Sequence, residues 1–377
     1  MVRTAALVIL VTLVGCSPAS STAAVSPSAS RAASPTPVAS SPTPMAISPF
    51  RVACRLPVVV PIITPEQLAQ GNNFPKNYQA GFVTFPGGDL TLDPNGGFSL
   101  PDGGLWTSVA EPVLRGRSVG YYAHASHRWL PADRTQVSPD ETRYAYFGWA
   151  AVSPGDTRGY MHVVDVATGR DRTLGAPLDT YRILNFGRDG IDFIYGPQSE
   201  MGPTPGAGLW LMDPDSGSIR QLFKDGWVHA VNNGVAWVMA SDQDPHPTSN
   251  YPDSEVGPPN PPVVNLLLRR DLTSSSIETW LYRPGFNVLP ISAYGSQVLV
   301  WVNQPGVEEF WLVSGPHSAV RLDSSITANL WATASAGLGF ADSNGIWLGG
   351  DAIYLYTAQA GLRRVAAVKG FPSGGCQ

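Results

Sequence analysis

Residues Tyr160–Leu174 read YMHVVDVATGRDRTL. This is strand, tight turn, strand. Asp165, Ala167, Thr168 and Gly169 punctuate two runs rich in β-formers. The same unit recurs at Gly208–Phe223 (GLWLMDPDSGSIRQLF), Asn265–Tyr282 (NLLLRRDLTSSSIETWLY), Glu309–Leu322 (EFWLVSGPHSAVRL) and Ala352–Val365 (AIYLYTAQAGLRRV). Asp165, Asp213, Asp271, Ser314 and Thr357 are equivalent, at spacings of 48, 58, 43 and 43 residues. Tyr121–Leu130 (YYAHASHRWL) fits the template one unit earlier, as the outer hairpin of a first blade. The period is that of a four-stranded propeller blade.

Each outer hairpin is preceded by a small turn and a strongly apolar strand. These are Ser138–Glu141 then RYAYFGWA, Arg188–Gly190 then IDFIY, Asn232–Gly234 then VAWVMA, Tyr294–Ser296 then QVLVWV, and Ser335–Gly337 then LGFA. Their lack of alternation suits strands buried on both faces, while the outermost strands carry Arg170, Arg172, Arg220, Arg321, Arg363 and Arg364. The expected fold is an all-β propeller over 50–377. Its blades fall at about 54–131, 132–177, 178–224, 225–284, 285–324 and 325–370, six in number with seven as the alternative. No helix longer than two turns is expected, and Pro65–Gln70 is the best short candidate.

At Val137–Tyr146, VSPDETRYAY, Ser138-Pro139-Asp140 together with Asp165…Thr168-Gly169 resembles the WD40-like repeats of TolB-type propellers. The resemblance covers this one blade; Gly187–Gly190 keeps only the Asp-Gly. It implies a periplasm-type propeller that binds a partner rather than a catalyst.

The N-terminus supplies the address. Arg3 is the only charge before an apolar run, Ala5–Val14, which is too short to span a bilayer as a helix. Leu13-Val14-Gly15-Cys16 resembles a bacterial lipobox. That implies cleavage before Cys16 and lipidation of its thiol, with palmitate-type acyl chains holding the chain to a membrane. An ordinary secretory signal with a chance cysteine is the alternative. Ser17–Pro49 is almost wholly Ser, Pro, Ala and Thr, and reads as a disordered tether or a glycosylated stalk. It would span about 30 Å as a coil and about 100 Å as polyproline helix. Residues 1–15 are thus read as signal peptide and 16–49 as lipidated tether. The expected location is the outer side of the cytoplasmic membrane or the periplasmic side of an outer membrane.

Cys54 and Cys376 stand at the two ends of the folded region. In an exported domain they are expected to form a disulfide, with two free thiols as the alternative. The chain is 43% hydrophobic and 14% charged with a net charge of −5, so it has no basic footprint for nucleic acid. A monomer is expected.

In such a blade the first-to-second and third-to-fourth turns emerge at one end of the ring. The second-to-third loop and the link to the next blade emerge at the other. Loop length is expected to concentrate at the second end, in Ala150–Gly159, Gly196–Gly208, Ser241–Pro262, Asn303–Glu308 and Ala341–Asp351, which marks it as the binding face. Asp156, Arg158 and Glu200 lie in the first two. Asp242, Asp244, His246, Tyr251, Asp253 and Glu255 lie in the third, a partner-recognition loop or a solvated insertion. A Ca²⁺ site through Asp242 and Asp244 is a further alternative, without the EF-hand Gly and Glu that would support it. Otherwise no cofactor is expected.

His124 and His127 form an HxxH in a turn, with no third zinc ligand in a defined place. Trp210, Trp237, Trp280, Trp301, Trp311 and Trp347 fall in apolar strands and are read as blade packing; Trp106 and Trp149 are freer. The functional expectation is a non-catalytic binding module for an envelope protein or small ligand. The alternative is a lactonase- or lyase-like propeller enzyme with a metal in the central channel.

Overall fold

Runs such as VAWVMA and QVLVWV have apolar side chains on both faces, so they are stable only between two other layers. A ring of sheets packed face to face supplies that environment. The computed structural model describes residues 52–62, 77–99, 120–153, 156–178, 181–195, 198–199, 202–203, 208–224, 227–243, 263–322 and 339–377. All lie within one compact unit, Phe50–Gln377. The tether, Cys16 and Pro65–Gln70 fall outside them.

Blade 1 contains β1 (Arg55–Ile62), β2 (Asn77–Thr84) and β3 (Asp89–Ser99). A hairpin follows, β4 (Gly120–Ala123) and β5 (Arg128–Pro131), then a 3₁₀ turn at Arg134–Gln136. Blade 2 is β6 (Arg143–Ser153), β7 (Asp156–Asp165) and β8 (Asp171–Leu178), completed on its inner edge by the single bridge Val137↔Tyr144. Blade 3 is β9 (Tyr181–Phe186), β10 (Ile191–Tyr195), β13 (Leu209–Met212) and β14 (Ile219–Phe223), with a small hairpin β11 (Gln198–Ser199) and β12 (Gly202–Pro203) between its middle strands. Blade 4 is β15 (Trp227–Asn232), β16 (Val235–Ala240), β17 (Leu266–Asp271) and β18 (Ile277–Tyr282). Blade 5 is β19 (Asn287–Tyr294), β20 (Gln297–Gln304), β21 (Val307–Gly315) and β22 (Ser318–Arg321). Blade 6 is β23 (Gly339–Asp342), β24 (Gly345–Leu348), β25 (Ile353–Thr357) and β26 (Gly361–Ala366). The last strand, β27 (Phe371–Pro372), returns to pair with β1, giving blade 1 the order β27-β1-β2-β3.

The result is a six-bladed antiparallel propeller closed by its own C-terminus. Beyond β27 the chain continues along β1: Ser373 N–H donates to the Pro57 carbonyl (2.9 Å) and Gln377 N–H to that of Arg55 (3.2 Å). Cys54 and Cys376 are joined as a disulfide, with Cα atoms 5.4 Å apart.

The core lies between blades. Second strands are buried almost end to end, with Trp237 1% exposed and packed edge-to-face on Trp280 at 4.6 Å. Trp347 is buried beside Phe85, and its indole N–H donates to Asp342 Oδ2 (2.8 Å). Trp210, Trp301 and Trp311 pack against the same clusters. The tryptophan-rich strands are therefore packing, as expected.

Two assignments need correction. Tyr121–Leu130 forms a hairpin, but not the outer one of blade 1, which is β2–β3. The β4–β5 hairpin instead wedges between blades. Tyr122 and Trp129 face Phe82 of blade 1 (ring centroids 4.9 and 5.8 Å), and Tyr121, Ala123 and Leu130 face Val137, Tyr144 and Val166 of blade 2. In blade 6 the register is one strand later than expected. Gly339–Asp342 is the innermost strand and Gly345–Leu348 the second. Gly345 sits at φ +139° with the Tyr356 carbonyl oxygen 2.3 Å from where a Cβ would stand, so only glycine fits this turn. Ser335–Gly337 lies outside the described residues.

Candidate functional site

The two ends of the ring differ in chemistry. At one end emerge the first-to-second and third-to-fourth turns, all within the described residues. The equivalence of Asp165, Asp213 and Asp271 is borne out atom by atom. Asp165 Oδ1 accepts from Thr168 N–H and Oγ1 (both 2.7 Å). Asp213 Oδ1 accepts from Asp215 and Ser216 N–H (2.9 and 2.7 Å), and Asp271 Oδ1 from Thr273 and Ser274 N–H (3.0 and 2.8 Å). These donors, the Thr168 hydroxyl foremost for Asp165 and the Ser216 and Ser274 amides for the others, hold all three carboxyls below the usual range. The fifth turn residue has positive φ: Gly169 (72°), Gly217 (73°), Ser275 (60°) and Gly361 (66°). The Ser138-Pro139-Asp140 motif works the same way, with Asp140 Oδ1 accepting from Ser138 Oγ (2.7 Å) and Thr142. These residues build turns and leave no carboxylate free.

The turns are also stapled blade to blade. Arg143 of blade 2 pairs with Asp215 of blade 3 (2.8 Å), and Arg172 donates to the Pro214 carbonyl (3.0 Å). Asn232 Nδ2 reaches the Ala293 and Gly295 carbonyls of blade 5, and Tyr121 OH donates to Glu141. His124 is packed here against the C-terminal tail, near Gly374; burial lowers its pKa. Among the described residues no group of three His, Cys, Asp or Glu side chains could hold a metal, so the HxxH gains no third ligand.

At the opposite end emerge the long connectors. The expectation of five long loops here is only partly right. Ala150–Gly159 is mostly strand: β6 runs to Ser153 and β7 starts at Asp156, pairing Ser153↔Asp156 and Ala150↔Arg158. Asp156 and Arg158 therefore sit on a strand rather than in a loop. Asn303–Glu308 shrinks likewise to Pro305-Gly306, with Gln304↔Val307 paired and Gly306 at φ +79°. Ala341–Asp351 contains the β23–β24 hairpin, whose turn belongs to the other end. Glu200 falls between β11 and β12, outside the described residues.

Only the root of Ser241–Pro262 is described; Asp244, His246, Tyr251, Asp253 and Glu255 lie outside. Asp242 is a structural pin. Its N–H donates to Asn265 Oδ1 (2.9 Å), and its Oδ2 accepts from Tyr282 OH (2.7 Å). The Tyr282 bond is the main reason its carboxyl stays below the usual range. The neighbouring blade is tied in through Val264 N–H to Asn287 Oδ1 (3.3 Å) and Val288 N–H to the Val264 carbonyl (2.7 Å). Nearby, Glu309 is 7% exposed and satisfied by Arg283 (3.1 Å), Arg321 (3.2 Å) and the Trp311 indole (2.9 Å).

The hub at this end holds groups that sequence spacing did not reveal. Arg182 is the second residue of β9, just after the link from blade 2, and His229 is the third of β15. Asp133 opens the 3₁₀ turn, which packs on β9. Asp133 and Arg182 are exposed and His229 is half-buried. Crowding raises the Asp133 carboxyl and lowers the Arg182 guanidinium, each opposed by the other's charge. It also lowers the His229 imidazole, with Arg182 pushing the same way, so this ring is neutral at physiological pH. Exposure of Asp133 and Arg182 to solvent screens part of that cost. His229 is the unpaired extra residue of a β-bulge: Val228↔Val238 is followed by Ala230↔Trp237. Such a bulge re-aims a side chain that the pleat would bury.

No family model matches the chain, and no curated protein does. Solved structures do. TolB from Acinetobacter baumannii aligns at 8% identity and TM-score 0.39, over 85% of this chain and 67% of that one. The β-propeller domain of the Trilobed protease from Pyrococcus furiosus aligns at 10% and 0.38, over 77% of each. Uncomplexed acylaminoacyl peptidase from Pyrococcus horikoshii aligns at 11% and 0.39, over 77% of this chain and 42% of that one. At these scores the likenesses carry no functional argument.

Proposed function

We infer that this chain is an exported lipoprotein whose propeller is a non-catalytic binding module, taking a protein or small ligand at the end of the ring that carries the long connectors. The observation that supports it best is the asymmetry of the ring. One end is spent on capped turns stapled to their neighbours. The other carries the 241–265 connector, the end of the β6–β7 hairpin and the exposed Arg182. The Cys54–Cys376 disulfide favours an oxidising, extracytoplasmic compartment. The Leu13–Cys16 pattern favours a lipid anchor on an envelope membrane, and the chain acts as a monomer.

The metal-dependent hydrolase alternative needs a set of ligands at the hub. The described hub groups offer one carboxylate and one imidazole beside a guanidinium, which is not such a set. The experiment is to replace 244–262 with a short Gly-Ser linker in the full chain, keeping the Asp242–Tyr282 root. Loss of partner capture by a folded variant supports the reading; undiminished capture overturns the loop's role.

A further inference from the structure

The ring is closed by Ser373–Gln377, a segment with little side chain of its own. Ser373, Gly374 and Gly375 are buried. Ser373 bridges β1 and β4: its N–H donates to the Pro57 carbonyl (2.9 Å), and its carbonyl accepts from Tyr122 N–H (2.8 Å). Cys376 N–H donates to Asp342 Oδ2 of blade 6 (2.8 Å), and Gln377 and Arg55 exchange backbone hydrogen bonds. Five residues thus hold blade 1, the wedged hairpin and blade 6 together.

One imidazole is packed against this segment. His124, in the β4–β5 turn, has its Nε2 3.3 Å from where a Cβ on Gly374 would stand, and its ring meets that of Tyr122 edge-on at 5.3 Å. Both ring nitrogens are shut off from water, and neither completes a hydrogen bond with the described residues. The charged groups on the surrounding elements are engaged elsewhere. Glu141, in the first turn of blade 2, accepts from Tyr121 OH (2.5 Å) and Ala125 N–H (2.8 Å). Asp342 of blade 6 accepts from Asn344 N–H (2.7 Å), the Trp347 indole (2.8 Å) and Cys376 N–H. Arg55 of β1 lies over the Phe82 ring (4.4 Å). His127 N–H donates to the His124 carbonyl (3.3 Å) and closes the same turn. Burial is the largest influence on the ring and lowers its pKa, with His127 pushing the same way. Glu141, the Gln377 side chain and the Gly375 backbone pull against it and do not prevail.

A neutral imidazole fits this place. An imidazolium brings a charge and two N–H donors, and the closed arrangement meets neither donor. Water reaches the ring only if the hairpin turn and the segment part, and Gly374 and Gly375 have no side chains to hold them together. We propose that His124 is an acid-sensitive catch on the ring closure: its protonation frees Ser373–Gln377 from β1 and β4, while the Cys54–Cys376 bridge keeps the freed segment attached. The closed imidazole takes up its proton less readily than the open one. Closure is therefore complete above about pH 6.5 and is lost progressively as pH falls below it. The catch lies at the stapled end, so it does not depend on which face of the ring binds a partner.

The test is hydrogen exchange of the oxidised full chain at pH 7.5 and pH 5, read by mass spectrometry on the peptide carrying 371–377 and corrected for the pH dependence of exchange itself. Protection of this peptide falls by about tenfold or more at the lower pH, while that of β19 and β20 in blade 5 stays within about twofold. His124→Phe fills the same place with a ring that cannot take a proton, and it abolishes the drop. His124→Gln, which also cannot take a proton, does the same and carries the test if His124→Phe does not fold. Equal protection of 371–377 at both pH values in the wild type overturns the proposal. So does the same drop in a folded His124 variant, because another group would then be the sensor. A drop shared equally by blade 5 also overturns it, since that reports general weakening in acid rather than release of one segment.

Discussion

The turn Asp165–Arg170 and the connector rooted at Asp242 begin with the same residue type, and the two aspartates do related jobs. Each accepts local hydrogen bonds and fixes a chain reversal. The difference lies in the chain beyond them. After Asp165 the chain returns within five residues, and the neighbouring turns of blades 2 and 3 are tied together by Arg143, Arg172 and Asp215. Past Gln243 the chain runs to Val263 before the described structure resumes, with Asn265 and Tyr282 anchoring the root at Asp242. One end of the ring is used to hold blades together. The other is freed to carry a long connector, because the first already secures the register.

If that division is right, damage at the stapled end should be costly and damage beyond the root of the long connector should not. The largest effect is expected from Cys54→Ser combined with Cys376→Ser. The bridge closes almost the whole folded chain at the stapled end, and chain entropy assigns it up to about 5 kcal/mol. Urea melts of oxidised wild type and the double variant measure it. A loss below about 1 kcal/mol would mean that β27 closes the ring unaided.

Next comes Asp192, 6% exposed on β10, whose carboxyl accepts from Asn185 Nδ2 (2.9 Å) while burial pushes it up to about 6. Its folded pKa lies above the unfolded value. Its proton therefore stabilises the fold most at acid pH, and that stability is lost as pH rises towards and through about 6. Asp192→Asn should add stability, by about 1–3 kcal/mol, at pH 8 and little at pH 4. Melts at the two pH values check this; an equal effect at both would sink it.

Smaller still are Asp165→Ala, Asp213→Ala and Asp271→Ala. Each removes a turn's acceptor, so each should lower Tm by less than the changes above. Asp165 and Asp271, in separate blades without shared partners, should add in a double variant. The smallest effect on Tm is expected from replacing 244–262 by a short linker, since the Asp242, Asn265 and Tyr282 contacts remain. A large drop would show that this connector also holds blades together.

Much of this fold was legible because turn chemistry is local. The pattern of Asp, then Ser or Thr three residues on, then Gly locates the outer hairpins of blades 2 and 3, and the Asn233-Gly234 dipeptide (φ 49° and 72°) marks a two-residue hairpin in blade 4. Ser335–Gly337 misled because a small-residue triplet before an apolar tetrad imitates the turn that Asp342–Gly345 makes. Pro305-Gly306 read as a loop because proline and glycine mark a tight reversal and an open loop alike. Asp133, Arg182 and His229 were not legible. They come from three parts of the ring, and in β15 the side chain is turned by a bulge that leaves no trace in spacing. The usable signal was the arginine in YRILNF, since the other described innermost strands carry no Lys or Arg.

The division between the two ends can be tested directly by photo-crosslinking in native membranes. A photoreactive residue is placed at Gln243, on the root of the long connector, or at Thr168, in a stapled turn. The account predicts a discrete, competable adduct from position 243 and none from position 168. An adduct from 168 alone, or the same adduct from both positions, would contradict it.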